Sequence, residues 1–135
     1  MRTILTAIVF FISASSFSQN LNELGLDNKP TLTETESTFL TDYMTNEQRK
    51  NFNFKNKKVI FVTGKSGEQI GTKSDYFEYI REWNKNGNKI ATWIVELKEN
   101  EKIYSGGYDV IVTYWVKMFT EKRKKKILKL VKASS

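Results

Sequence analysis

Two short runs constrain the fold of this chain more than any other feature. Val59-Ile60-Phe61-Val62 is apolar at every position until Thr63, and Val110-Ile111-Val112 repeats the pattern fifty-one residues later. A strand with one wet face alternates apolar and polar residues, whereas an unbroken apolar run marks a central strand. A third segment, Ile90 to Lys98, does alternate and puts Ala91, Trp93, Val95 and Leu97 on one face. Asp109 to Phe119 is the longest strand candidate, while Phe52-Asn53-Phe54 alternates too briefly to count for much.

Helical signals separate these segments. Thr33 can cap a first turn, with Glu36 where a capping box needs its carboxylate. Phe39, Leu40, Tyr43 and Met44 follow as one apolar stripe, and the helix should end near Thr45-Asn46. Ser74 and Asp75 open a second helix that Asn86-Gly87-Asn88 closes; Tyr76, Phe77, Ile80 and Trp83 form its inner side, with Glu78, Arg81, Glu82 and Lys85 facing out. Thr120 opens a third, running to about Ala133. Lys65 to Lys73 reads as a loop, Glu99 to Lys102 as a turn, and Tyr104-Ser105-Gly106-Gly107 as an interruption. The order helix, strand, helix, strand, strand, helix predicts a small single α+β domain. Its helices are expected on one face of a mixed three- to four-stranded sheet, close to a split strand–helix–strand unit lacking its last strand.

This domain is expected over residues 33–135, behind a loosely packed lead-in at 19–32. Residues 1–18 read as a cleavable secretion signal. Arg2 precedes the apolar stretch Ile4 to Ile12, small residues follow, and Ser16 and Ser18 fit a signal peptidase cutting between Ser18 and Gln19. The apolar stretch is shorter than the ~20 residues a membrane span needs. The expected product is released into the periplasm or the medium. It contains no cysteine, so it carries neither a disulfide nor a lipid-anchored N-terminal cysteine, and its core must suffice alone.

Histidine is also missing, which removes the usual general base and the commonest metal ligand. A Ser-His-Asp triad is therefore excluded. The segment 64–74 follows a strand and precedes a helix, as a phosphate-cradling loop does. The register is wrong for one: Ser66 stands where the first glycine belongs, and Thr72 separates Gly71 from Lys73. Weak anion capture by Gly64, Lys65, Ser66, Gly67 and Lys73 is what this loop can still offer. Ser66 with Lys65 or Lys73 is a formal nucleophile–base pair between badly aimed neighbours. Glu78 and Glu82 share one helix face instead of facing each other across a cleft. Asp109 beside Gly106-Gly107 is expected to order that turn. No catalytic residue, metal site or cofactor is assigned.

Charge is distributed unevenly. Residues 19–54 carry three basic and six acidic side chains, whereas residues 55–135 carry eighteen and nine. At about 100° per residue, the last helix gathers Phe119, Ile127, Leu128, Leu130 and Val131 on one side. Lys122, Lys125, Lys126, Lys129 and Lys132 gather on the other. Lys122, Arg123 and Lys124 crowd the first turn, where the helix dipole opposes cations. Such a face keeps a protein in solution, or it serves a polyanion: anionic lipid, acidic polysaccharide or an acidic protein. Nucleic acid is disfavoured, because the aromatic residues read as core and not as a stacking platform. The chain is thus expected to be an exported, non-catalytic binding module acting through its lysine-rich helix. The alternatives are a small enzyme or ligand-binding domain using the 64–74 loop, and a structural protein of the cell envelope.

Overall fold

The computed structural model describes residues 21–63, 69–85, 92–114 and 119–134. The expected signal, Gly64 to Gly67, Ala91 and the Asn86-Gly87-Asn88 stop lie outside these residues. Both apolar runs form the centre of a sheet. β1 (Val59–Val62) and β4 (Val110–Tyr114) pair in parallel, Val59 opposite Val110 and Val62 opposite Thr113. β2 (Ile70–Gly71) adds antiparallel to β1, and β3 (Thr92–Glu96) antiparallel to β4, giving the order β2-β1-β4-β3. The α-helices among the described residues are α1 (Glu34–Thr41), α2 (Asn46–Asn51), α3 (Lys73–Lys85), α4 (Glu99–Ser105) and α5 (Glu121–Ser134). The fold is α+β with a mixed four-stranded sheet.

The helices cover both faces of that sheet, not one. Alternate side chains of a strand point to opposite faces, so a strand apolar at every position needs cover on each. Val59, Phe61, Val110, Val112 and Tyr114 pack with Ile94 against Tyr76, Phe77 and Ile80 of α3 and Phe39 and Leu40 of α1. Ile60, Val62 and Ile111 point the other way, onto Ile127, Leu128 and Val131 of α5. The first layer is aromatic: Tyr76 and Phe77 meet edge to face at 5.1 Å, and Tyr79 stacks on Tyr114 at 4.2 Å. The second is wholly aliphatic at its buried centre.

Two segments expected as loop or turn, and the stretch after the first helix, contain regular structure. Residues 99–105 form α4, because Glu and Lys favour helix where no tertiary demand opposes it. Glu101 accepts the Lys98 N–H at 2.8 Å, and Gly106 and Gly107 end the helix at φ of 87° and 99°, which side chains resist. After α1, a second capping box at Thr45 and Gln48 starts α2. The Gln48 amide also donates to the Ile94 carbonyl at 2.8 Å, across the outer edge of β3. Finally, Ile70 and Gly71 form the edge strand β2. A Cβ on Gly71 would sit 2.0 Å from Thr63 Oγ1, so close strand approach explains this glycine.

Residues 21–32, expected to be loosely packed, are fastened down. Leu24 is fully buried, and the Arg81 guanidinium donates to the carbonyls of Leu21 and Leu24 instead of facing out. Ser74, expected with Asp75 to open α3, donates its hydroxyl to Gly25 O at 2.6 Å, and Thr72 caps the helix through the Asp75 N–H. Trp83, expected on the buried side of α3, is more than a third exposed.

Candidate functional site

Lys73 is the one proposed ligand of the 64–74 loop that falls among the described residues, and it points inward. Its side chain is 1% exposed. The ammonium donates to Asp27 Oδ1 at 2.7 Å, Glu36 Oε1 at 2.9 Å and Thr31 O at 2.8 Å. An ammonium has three N–H groups, and all three are taken. Glu36, equally buried, further accepts the Gly25 N–H at 2.7 Å and the Thr33 N–H at 2.8 Å. The Lys73 hydrogen bond, with that from the Lys29 N–H, holds the Asp27 carboxyl below the usual carboxylate range. Lys73 is thus a clasp between α3 and the lead-in and has no donor left for an anion in the loop, which removes it from that candidate set.

The remaining polar candidates are structural. Glu78 and Glu82 are exposed on α3. Asp109 accepts the Lys58 N–H at 2.9 Å and so ties the start of β1 to the approach of β4. Burial pushes the Tyr76 phenol up and that of Tyr114 up to about 12, so both remain protonated in the core. A cleft of about 560 Å³ opens between the N-terminus of α1 and residues 53–56. Its lining mixes the polar and charged side chains of Thr33, Glu34, Ser37, Thr38, Asn53 and Lys55 with apolar Leu32 and Phe54.

The lysine helix is sorted more finely than its pattern suggested. Ile127, Leu128 and Val131 are buried, whereas Leu130 is 40% exposed and sits at the edge of the apolar side. Lys124 turns inward, its ammonium 3.0 Å from Glu101 and 3.1 Å from Glu121. Burial alone would lower its pKa; the hydrogen bonds to those two carboxylates outweigh this and hold it above the usual value. This pairing offsets the dipole penalty at one of the three first-turn cations. Thr120 closes the same turn, accepting the Arg123 N–H at 3.2 Å.

Lys122, Lys125, Lys126, Lys129 and Lys132 are all exposed. Lys122, Lys125, Lys129 and Lys132 recur at i, i+3, i+7 and i+10, one stripe along the helix. α4 lies beside it. The Lys132 ammonium stands 4.2 Å over the Tyr104 ring, a cation–π contact. A hollow of about 330 Å³ between the helices is lined by Asn100, Glu101, Tyr104, Lys125, Leu128 and Lys129. The carboxylates of this end are directed at inner lysines. Glu101 and Glu121 serve Lys124; Glu99, at 3.2 Å, and Asp109, at 3.9 Å, serve Lys102. Lys122, Lys125 and Lys129 stand exposed outside these pairs. Sequence reasoning missed Tyr104, whose role depends on α4 being a helix and not part of a turn.

Residues 28–133 match the family model described as a domain of unknown function (DUF8192). No curated protein and no solved structure matches the chain.

Proposed function

The chain belongs to the DUF8192 domain family, whose description states no activity, and we propose that it is an exported, non-catalytic module that binds an anionic surface through the outer face of α5 and the adjoining edge of α4. The observation that carries this reading is the division of labour among the lysines. Lys124 and Lys102 hold the nearby carboxylates, while Lys122, Lys125 and Lys129 stand exposed along the outer face of α5. A helix that needed charge only for solubility would gain more from interspersed signs, since like charges at i, i+3 and i+4 repel.

Export rests on the N-terminal pattern of basic residue, apolar stretch and small-residue cleavage site. No helix among the described residues is long and apolar enough to cross a membrane. N-terminal sequencing of the exported product should begin at Gln19; an intact Met1 on the functional protein would remove export from the reading.

Retention on heparin resin, used as a generic polyanion, tests the binding. Retention should fall steeply as salt is raised, because the stripe is exposed and screened. Replacing Lys122, Lys125, Lys126 and Lys129 by glutamine should abolish it. Unchanged retention in that variant would overturn the proposal.

A further inference from the structure

The stripe is flanked by apolar groups that a purely electrostatic site would not need. Ile103 is 79% exposed, while Tyr104 and Leu130 are 40% exposed. Ile103 lies one turn from Asn100 on α4, and Asn100 lines the hollow shared with Lys125 and Lys129. Its neighbour Tyr104 holds its ring under Lys132. An exposed aliphatic knob on α4, an amphipathic ring and a row of lysines are therefore presented by the same pair of helices.

Resting on the anionic-surface reading above, we propose that the partner is a bilayer containing anionic phospholipid. The lysines of α5 meet the headgroups, and Ile103 and Tyr104 enter the headgroup–acyl boundary. Three features favour lipid. Lysines at i, i+3, i+7 and i+10 form a straight row of about 15 Å, matched to a surface and not to a cleft. Ile103 gains nothing from a hydrated acidic polysaccharide but loses contact with water in a lipid interface. Tyrosine suits the boundary because its ring is apolar and its hydroxyl stays wet. An acidic protein would need a shaped counter-surface, whereas a lipid surface adapts to a knob of any outline.

The test is co-sedimentation of the purified exported protein with vesicles of phosphatidylcholine alone, or of phosphatidylcholine with phosphatidylglycerol, alongside retention on heparin resin. The protein should bind the phosphatidylglycerol vesicles at least about tenfold more tightly than the neutral ones. Ile103→Ser should weaken vesicle binding by about tenfold and leave heparin retention unchanged, since it removes buried apolar area and no charge. Ile103 is exposed, so the substitution leaves the core intact, and an unchanged melting temperature checks this. If heparin retention depends on the lysines but vesicles are not bound, or are bound equally by Ile103→Ser, the lipid assignment is overturned. The anionic-surface reading then stands, with an acidic polysaccharide or protein as partner. If neither heparin nor vesicles are bound, both fall.

Discussion

The two faces of the sheet solve the same problem differently. One is covered by α1 and α3 with a layer of interlocking aromatic rings, and its margin is closed by a buried ion pair between Lys73 and Glu36. Among the described residues the other is covered by α5, on an aliphatic core, with its own inward lysine held at the rim. On the first face the charged groups are sealed inside and the lead-in lies over them. On the second, Lys124 alone among the α5 lysines is drawn in and the others stay at the surface, and a helix that covers the sheet with one side has its other side to spare. The contrast separates a part of the molecule specialised for stability from one available for contact.

Lys73 and Lys124 offer the sharpest way to break this comparison. Lys73→Met would leave Glu36 buried without its counter-charge, and losing one partner of such a pair costs about 3–5 kcal/mol. Urea denaturation should register a loss of that size. Glu36→Gln combined with Lys73→Met should recover much of it, because the uncompensated charge is then gone. Lys124→Met should cost only about 1 kcal/mol, since Glu121 is 73% exposed and Glu101 is near the surface, so both can rehydrate. Equal losses at the two lysines would mean that the rim of α5 is as sealed as the clasp, and the contrast between the faces would collapse.

Acid should sharpen the same difference. The Asp27 carboxyl is held below its ordinary value of 3.8 by the Lys73 and Lys29 hydrogen bonds. Glu101 is also held below its ordinary 4.5: burial would raise it, but the Lys98 N–H and Lys124 outweigh that. Groups with depressed folded pKa values add stability that is present above their unfolded values and lost as pH falls through the folded ones. Melting temperature should therefore decline below about pH 4.5, in two contributions. Asp27→Asn should flatten the part due to the clasp and Glu101→Gln the part due to α5. A decline untouched by either substitution would show that neither pair is linked to folding.

Much of this organisation was legible in the chain, and the misses have physical causes. The runs at 59–62 and 110–112 identified the central strands, because nothing except two-sided burial tolerates apolar side chains in both registers. Taken strictly, they also require helices on both faces, a step the one-sided expectation left out. Thr33 with Glu36 announced the capping box, whose carboxylate has a second duty toward Lys73 and Gly25 that no spacing reveals. Thr45 with Gln48 repeats the box four residues after α1 ends, so α2 carried a readable signal. In α4 the run Glu99-Asn100-Glu101-Lys102 is as polar as a turn, and only its helix propensity argued otherwise. Among the candidate ligands, the exposed lysines of α5 followed from helical periodicity. The inward turn of Lys73 and Lys124 did not, since burial of a lysine depends on carboxylates brought in from elsewhere: Asp27 and Glu36 for one, Glu101 of α4 for the other.

The smallest expected effect bears most directly on whether the outer face of α5 is kept for contact. Lys122 lies in the first turn, where the exposed N–H groups carry partial positive charge and a cation is unfavourable by about 0.3–1 kcal/mol. It is also one turn from Lys125 and Lys126, whose charges repel it. Lys122→Glu reverses both interactions, so the protein should become more stable by about 0.5–1 kcal/mol, a rise of a few degrees in melting temperature. The same substitution should weaken retention on heparin by removing one positive charge and adding a negative one at the end of the stripe. A gain in stability with a loss of binding is the pattern of a residue retained for contact at a cost to folding. A gain with undiminished retention would place the binding surface elsewhere on the molecule, and a loss of stability would mean that Lys122 is held by packing that the exposed stripe conceals.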